Sequence, residues 1–94
     1  MEKVVEAITH IHLPSRAAIG GGLRIYHGYG LIVNGKSTIG SGVTLYARVT
    51  IGERFPGDGC PIIKDHVVIG TGATVLGPTV VESNRVVRAN SLLV

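Results

Sequence analysis

An aliphatic residue returns at every sixth position through most of this chain, a period that neither a helix nor a plain strand produces. The α-helix repeats at 3.6 residues and an amphipathic strand at 2.0. Ile19, Ile25 and Leu31 form one run, and Ile39, Leu45, Ile51, Ile63, Ile69, Val75, Val81, Val87 and Leu93 form a second. Glycine follows the aliphatic residue at Gly20, Gly40, Gly52 and Gly70, where it is expected to accept backbone angles that a Cβ forbids. Val43, Val67, Ala73, Thr79 and Ser91 lie four places on, as a small or β-branched set. This is the hexapeptide repeat of a parallel β-helix, an all-β tube in which three units make one coil. Twelve starting positions give about four coils, with stacked Ile, Val and Leu ladders as the core. An antiparallel sandwich would instead need alternation at period two and turn signals every eight to twelve residues.

At 94 residues the chain reads as one domain, residues 1–94, with a short lead-in over 1–11. A core of this size is marginal, and the ends of a tube leave unpaired strand edges, so self-association is expected. Nine basic residues against six acidic ones give a net charge of +3 without any basic run, and the four aromatics build no stacking platform for nucleic acid. Charges at Glu2, Lys3 and Glu6 interrupt what a signal peptide needs to keep apolar, and no stretch is long enough for a membrane span. One cysteine, Cys60, excludes an intrachain disulfide and fits a reducing, cytoplasmic setting.

The rhythm breaks twice. Leu31 to Ile39 is a step of eight, which places a two-residue bulge within Val33–Lys36 around Gly35. Ile51 to Ile63 is a step of twelve, and the proline- and glycine-rich stretch between them leaves the tube as a loop over 53–62. A loop held by rigid coils is a common place for function.

The segment Ile25-Tyr26-His27-Gly28-Tyr29-Gly30-Leu31-Ile32-Val33 resembles the histidine segment of serine acetyltransferases and of the related hexapeptide-repeat O-acetyltransferases of polysaccharide pathways. The likeness runs from His12 to Gly52 and resumes from Pro61 to Val94. It implies a left-handed β-helix, as in the C-terminal domain of serine acetyltransferases, assembled as a homotrimer with acetyl-CoA in the groove between neighbouring tubes. His27 falls on the family's catalytic histidine, a general base toward an acceptor hydroxyl; such assistance supplies ~10²–10⁴-fold. Gly52 is a candidate for presenting a backbone N–H to the developing oxyanion.

Two positions depart from the family pattern. The aspartate that orients the catalytic imidazole corresponds here to His12, and a histidine lacks that negative charge. In the loop, Gly57-Asp58-Gly59-Cys60-Pro61 stands where serine acetyltransferases carry Gly-Asp-Arg-His-Pro, which turns the expected acceptor from serine toward a sugar or sugar nucleotide, with Asp58 and Cys60 as loop candidates. Glu6, Asp58 and Glu82 remain alternatives for the orienting carboxylate. Thr71-Gly72-Ala73 and Ala89-Asn90-Ser91 match the small-residue corners along which the family's pantetheine arm runs, while Lys64, Arg85 and Arg88 are cations suited to the CoA phosphates. The family's helical domain and its C-terminal tail have no counterpart in these 94 residues, which read either as a minimal single-domain relative or as the product of a truncated reading frame.

Other classes fit less well. The histidines at 10, 12, 27 and 66 lack the i, i+5 pair of γ-type carbonic anhydrases, and no metal is assigned. No Thr-x-Thr ladder marks an ice-binding face. The alternative that stands is a non-catalytic trimeric scaffold derived from an acyltransferase.

Overall fold

The computed structural model describes residues 18–94; the lead-in 1–11 and His12 lie outside the described residues. The chain winds as a left-handed parallel β-helix of four coils. β1 (Ala18–Ile19), β2 (Arg24–Ile25) and β3 (Ile32–Val33) make the first coil. β4 (Thr38–Ile39), β5 (Thr44–Leu45) and β6 (Thr50–Gly52) make the second. β7 (Ile62–Ile63), β8 (Val68–Ile69) and β9 (Thr74–Leu76) make the third, and β10 (Val80–Val81), β11 (Val86–Val87) and β12 (Leu92–Leu93) the fourth. Each coil gives one strand to each of three parallel sheets: β1-β4-β7-β10, β2-β5-β8-β11 and β3-β6-β9-β12.

Alternation within these two- and three-residue strands sends one aliphatic residue inward and its neighbour outward. Equivalent inward residues pair in register, as in Ile39 with Ile63, Leu45 with Ile69, and Ile51 with Val75. They are fully buried in the middle coils, whereas Ile19, Ile25 and Leu93 at the ends are half-covered. Each buried side chain contributes roughly 1.5–3 kcal/mol. The small and β-branched set two places before the next inward residue closes the corners, with Val43, Val67 and Ala73 at 0% exposure.

The register corrects three expectations. Val33, not Leu31, is the inward strand residue of the first coil, because Ile32 pairs with Thr50 and Val33 with Ile51. The two extra residues therefore lie between Ile25 and Val33, not within Val33–Lys36, and the turn at Gly35 is an ordinary corner. The long loop ends at Pro61, because Ile62 already belongs to β7 and pairs with Thr38. The glycines after the aliphatic residues serve close approach between coils: a Cβ on Gly70 would stand 2.7 Å from the Ala89 nitrogen, and one on Gly40 2.8 Å from the Asp65 nitrogen.

Left-handed backbone is found two residues further on, in the turns, and four of these turn positions lack glycine: Arg48, His66, Asn84 and Asn90 have φ of 57°, 58°, 65° and 60°. Each of these four turn residues donates its N–H to the turn of the coil below, as Arg48 does to the Tyr29 carbonyl (2.9 Å) and Asn90 to that of Thr71 (2.9 Å).

Candidate active site

The tube has three edges where its sheets meet, and the edge between the second and third sheets collects the groups with chemistry. In the first coil it carries the two-residue insertion. Tyr26 donates its N–H to the Leu45 carbonyl (2.9 Å), after which the chain leaves the regular path and returns at β3. His27 sits at the tip with φ 51°, in the left-handed region that histidine enters more readily than most residues. Its carbonyl accepts the Tyr29 N–H (3.0 Å), and the carbonyl of buried Gly28 accepts that of Leu31 (3.3 Å). The backbone of the turn is thus bonded while the imidazole is exposed. Among the described residues no carboxylate pairs with it.

Above His27 on the same edge stand Tyr46 and Arg48, then Thr71, Gly72 and Ala73, then Arg88 and Ala89. Six expected site residues, His27, Thr71, Gly72, Ala73, Arg88 and Ala89, therefore share one edge. The Cβ position of Gly72 is taken by the Asn90 side-chain oxygen, so this turn has no room for a larger residue. Tyr26 and Tyr46 stack with ring centroids 5.5 Å apart and planes at 27°.

The remaining candidates lie elsewhere. Lys64 is on the edge between the first and second sheets, 3.0 Å from the Glu82 carboxylate, and Arg85 is exposed on that same edge. Their sequence spacing had put Arg85 and Arg88 together, but the coil separates them by one face. Gly52, Asp58 and Cys60 belong to the third edge, where the long loop emerges.

The loop holds itself. Arg54 forks onto Asp58, with Nε donating to Oδ2 (2.6 Å) and Nη2 to Oδ1 (3.1 Å), and Gly57 donates its N–H to the Glu53 carboxylate (3.1 Å). The guanidinium lies 5.6 Å from the Phe55 ring centre. Its hydrogen bond and charge hold the Asp58 carboxyl below the usual range and raise Arg54 in turn. Asp58 is therefore occupied within the loop. The fork rests on Gly77, where an added Cβ would meet Arg54 Nε at 2.6 Å and Asp58 Oδ2 at 2.8 Å. Sequence reading passed over Arg54, whose signal was an Arg and an Asp four residues apart inside a short loop. It also passed over Tyr46 and Arg48, which the one-coil repeat places above the His27 turn. Between the loop and the third sheet lies a cleft of about 470 Å³ lined by Ile32, Thr50, Gly52, Glu53, Phe55 and Leu76.

Among the described residues no group of three potential metal ligands is assembled, and no helix is long and apolar enough to cross a membrane.

No protein-family model matches the chain. It is 36% identical over 95 residues to a serine acetyltransferase of Helicobacter pylori, covering 99% of this chain and 56% of that protein. It is 38% identical over 95 residues to a serine acetyltransferase of Staphylococcus aureus, covering 99% of this chain and 45% of that protein. Among solved structures, serine acetyltransferase isoform 3 of Entamoeba histolytica in complex with cysteine superposes with a TM-score of 0.90 at 33% identity, over 98% of this chain and 33% of that one. The native serine acetyltransferase 1 of Entamoeba histolytica gives 0.89 at 32% identity, over 98% and 37%. The chain spans about half the length of the curated relatives it matches. It folds as a hexapeptide-repeat parallel β-helix and is similar to the β-helix of serine acetyltransferases over nearly all of its own length.

Proposed function

We propose that this chain is an acetyl-CoA-dependent O-acetyltransferase, with His27 as the general base and a small hydroxyl-bearing molecule as acceptor. The observation that carries the reading is the exposed imidazole on a backbone-bonded turn, at the foot of an edge lined by small residues, in a chain similar to serine acetyltransferases. In the proposed reaction the acceptor oxygen loses its proton to His27 and attacks the thioester carbonyl. The new C–O bond replaces the C–S bond, and the proton passes to the departing thiolate. Thr71, Gly72, Ala73 and Ala89 fit the pantetheine arm because small side chains let a ligand approach the backbone. Arg88 makes no ion pair among the described residues and suits a CoA phosphate better than Lys64, which Glu82 engages.

A sugar or sugar nucleotide is the favoured acceptor and serine the other. The Arg54–Asp58 fork keeps Asp58 from meeting an amino-acid acceptor. Gly52 stands at the base of the loop, on a different edge from His27, so its part in oxyanion binding belongs to an assembly in which a second copy brings the two edges together. A homotrimer in a cytoplasmic setting is that assembly. Cys60 keeps the role expected of it, a thiol in the loop.

A non-catalytic scaffold is the second reading. The observation on its side is the absence, among the described residues, of a carboxylate on the His27 imidazole. Calorimetric titration with acetyl-CoA separates the two. Saturable binding near one site per chain, followed by transfer to a sugar hydroxyl, is the expected result. A folded assembly that takes up no acetyl-CoA would leave only the scaffold.

A further inference from the structure

Arg48 occupies a turn position for which its side chain is ill suited. Gly30, Arg48, Gly72 and Asn90 form one column on the edge that carries His27, and all four are left-handed, with φ of 71°, 57°, 74° and 60°. Glycine and asparagine enter that region readily, whereas a long side chain there is strained. Strained residues of this kind collect at functional sites, where their surroundings hold them.

Nothing among the described residues rewards the arginine. Among the described residues its guanidinium forms neither a salt bridge nor a side-chain hydrogen bond, and the residue is exposed. The backbone would bond equally well with glycine, since the N–H donates to the Tyr29 carbonyl regardless of side chain. The stem leans toward the first coil: Arg48 Cγ lies 3.2 Å from where a Cβ of Gly30 would stand. The turn below is that of His27, whose carbonyl bonds Tyr29. All three tyrosines of the chain, Tyr26, Tyr29 and Tyr46, belong to these same two turns, and the Tyr26–Tyr46 stack offers a half-exposed apolar ring face.

We propose that Arg48 sets acceptor specificity, reading a negative charge on a sugar ring that lies against the Tyr26–Tyr46 stack with its hydroxyl toward His27. The inference rests on the acetyl-transfer reading above and names the acceptor's chemistry. The charge is a carboxylate or a phosphate, both of which a guanidinium binds through paired N–H donors. It belongs to the acceptor and not to the CoA phosphates. With the pantetheine arm along Thr71–Ala73 and Ala89, as proposed above, a cation one coil from His27 would face the thioester end and not those phosphates.

The chain has no tryptophan, so its tyrosine fluorescence arises wholly from this edge and reports binding without turnover. Glucose, glucose 1-phosphate and glucuronate are titrated into the full chain and into Arg48→Gln, Arg48→Lys and Arg48→Gly, with acetyl-CoA affinity measured in parallel by calorimetry. The wild type is expected to favour at least one anionic sugar over glucose by about ten-fold or more. Whether that sugar is the phosphate or the carboxylate identifies the charge. Arg48→Gln brings the preference within about two-fold, Arg48→Lys restores part of it, and acetyl-CoA affinity is unchanged in all three variants. Arg48→Gly loses the preference while melting at a higher temperature than the wild type, which separates loss of binding from loss of fold.

A wild type that does not distinguish glucose from the anionic sugars overturns the proposal, as does Arg48→Gln with its preference intact. Equal weakening of acetyl-CoA and anionic sugar in Arg48→Gln overturns it too, by moving the guanidinium onto the cofactor. Anionic-sugar selectivity in a chain that binds no acetyl-CoA would instead leave the Arg48 site standing and remove the acetyl-transfer reading.

Discussion

The two insertions in the tube differ in how they are held, and the difference follows their length. The short one, around His27, borrows the hydrogen bonds of the coil above: Tyr26 bonds Leu45 and Arg48 bonds Tyr29. Among the described residues the His27 side chain takes no salt bridge or side-chain hydrogen bond. The long one, residues 53–61, leaves the lattice and satisfies its own polar groups through the Arg54–Asp58 fork and the Glu53–Gly57 bond. A turn of two extra residues can ride on a rigid neighbour, whereas a loop of nine spends its charged side chains on its own shape. Chemistry is accordingly better sought on the short insertion, although the long one is more conspicuous in the sequence.

The largest expected effect tests that contrast directly. His27→Ala is expected to lower acetyl transfer by ~10²–10⁴-fold while acetyl-CoA binding and assembly persist. Activity within a few-fold of wild type would take His27 out of the reaction. On the other side of the contrast, Gly77→Ala pushes a methyl group into the Arg54–Asp58 fork from a backbone at φ 75° and is expected to cost about 1–3 kcal/mol in urea denaturation. An unchanged midpoint would mean that the loop does not need its seat.

Ser37 sharpens the picture at the third edge, since its hydroxyl is buried and, among the described residues, unpartnered where the equivalent corner residues are Val43, Val67 and Ala73. Ser37→Ala is expected to stabilise the fold by about 1 kcal/mol, and a lower denaturation midpoint would reveal a partner for that hydroxyl.

The smallest effect is in acid. Because the hydrogen bond from Arg54 lowers the Asp58 pKa on folding, the fork contributes fully above the ordinary carboxylate value near ~3.9 and is lost as pH falls below it, through the folded-state value. Cleavage of 53–61 by an acid protease should rise over that window and should be insensitive to it in Asp58→Asn. Equal pH dependence in both proteins would assign the change to another group.

The period of six gave the architecture, since twelve aliphatic positions at that spacing admit few other folds. The phase of the first coil was not legible, for a physical reason. Leu31 and Val33 are both aliphatic and both at 0% exposure, one closing a corner and one facing inward, and the parallel pairing of Val33 with Ile51 separates them. The site was half legible. The resemblance of the Ile25–Val33 segment singled out His27 and the small residues as candidates, and the coil sets them on one edge. Tyr46 and Arg48 stayed hidden because their meaning comes from the turn one coil below, about twenty residues back in the chain. The loop's fork was hidden because Asp58 reads as a free acid until Arg54 is seen beside it.

Length change in this fold is sorted by arithmetic. The last two coils repeat at a strict interval of eighteen residues, from Ile63 to Val81, Ile69 to Val87 and Val75 to Leu93. A duplication or excision of eighteen residues would leave all three ladders in step, so the tube can grow or shrink by whole storeys. Any other increment would shift every later strand onto the wrong wall or turn its side chains inside out. The chain meets such increments by extruding them at an edge. Copying errors of arbitrary size thus become surface decoration and the interior never records them, a bias that supplies new edge geometry for selection to work on while the scaffold stays the same.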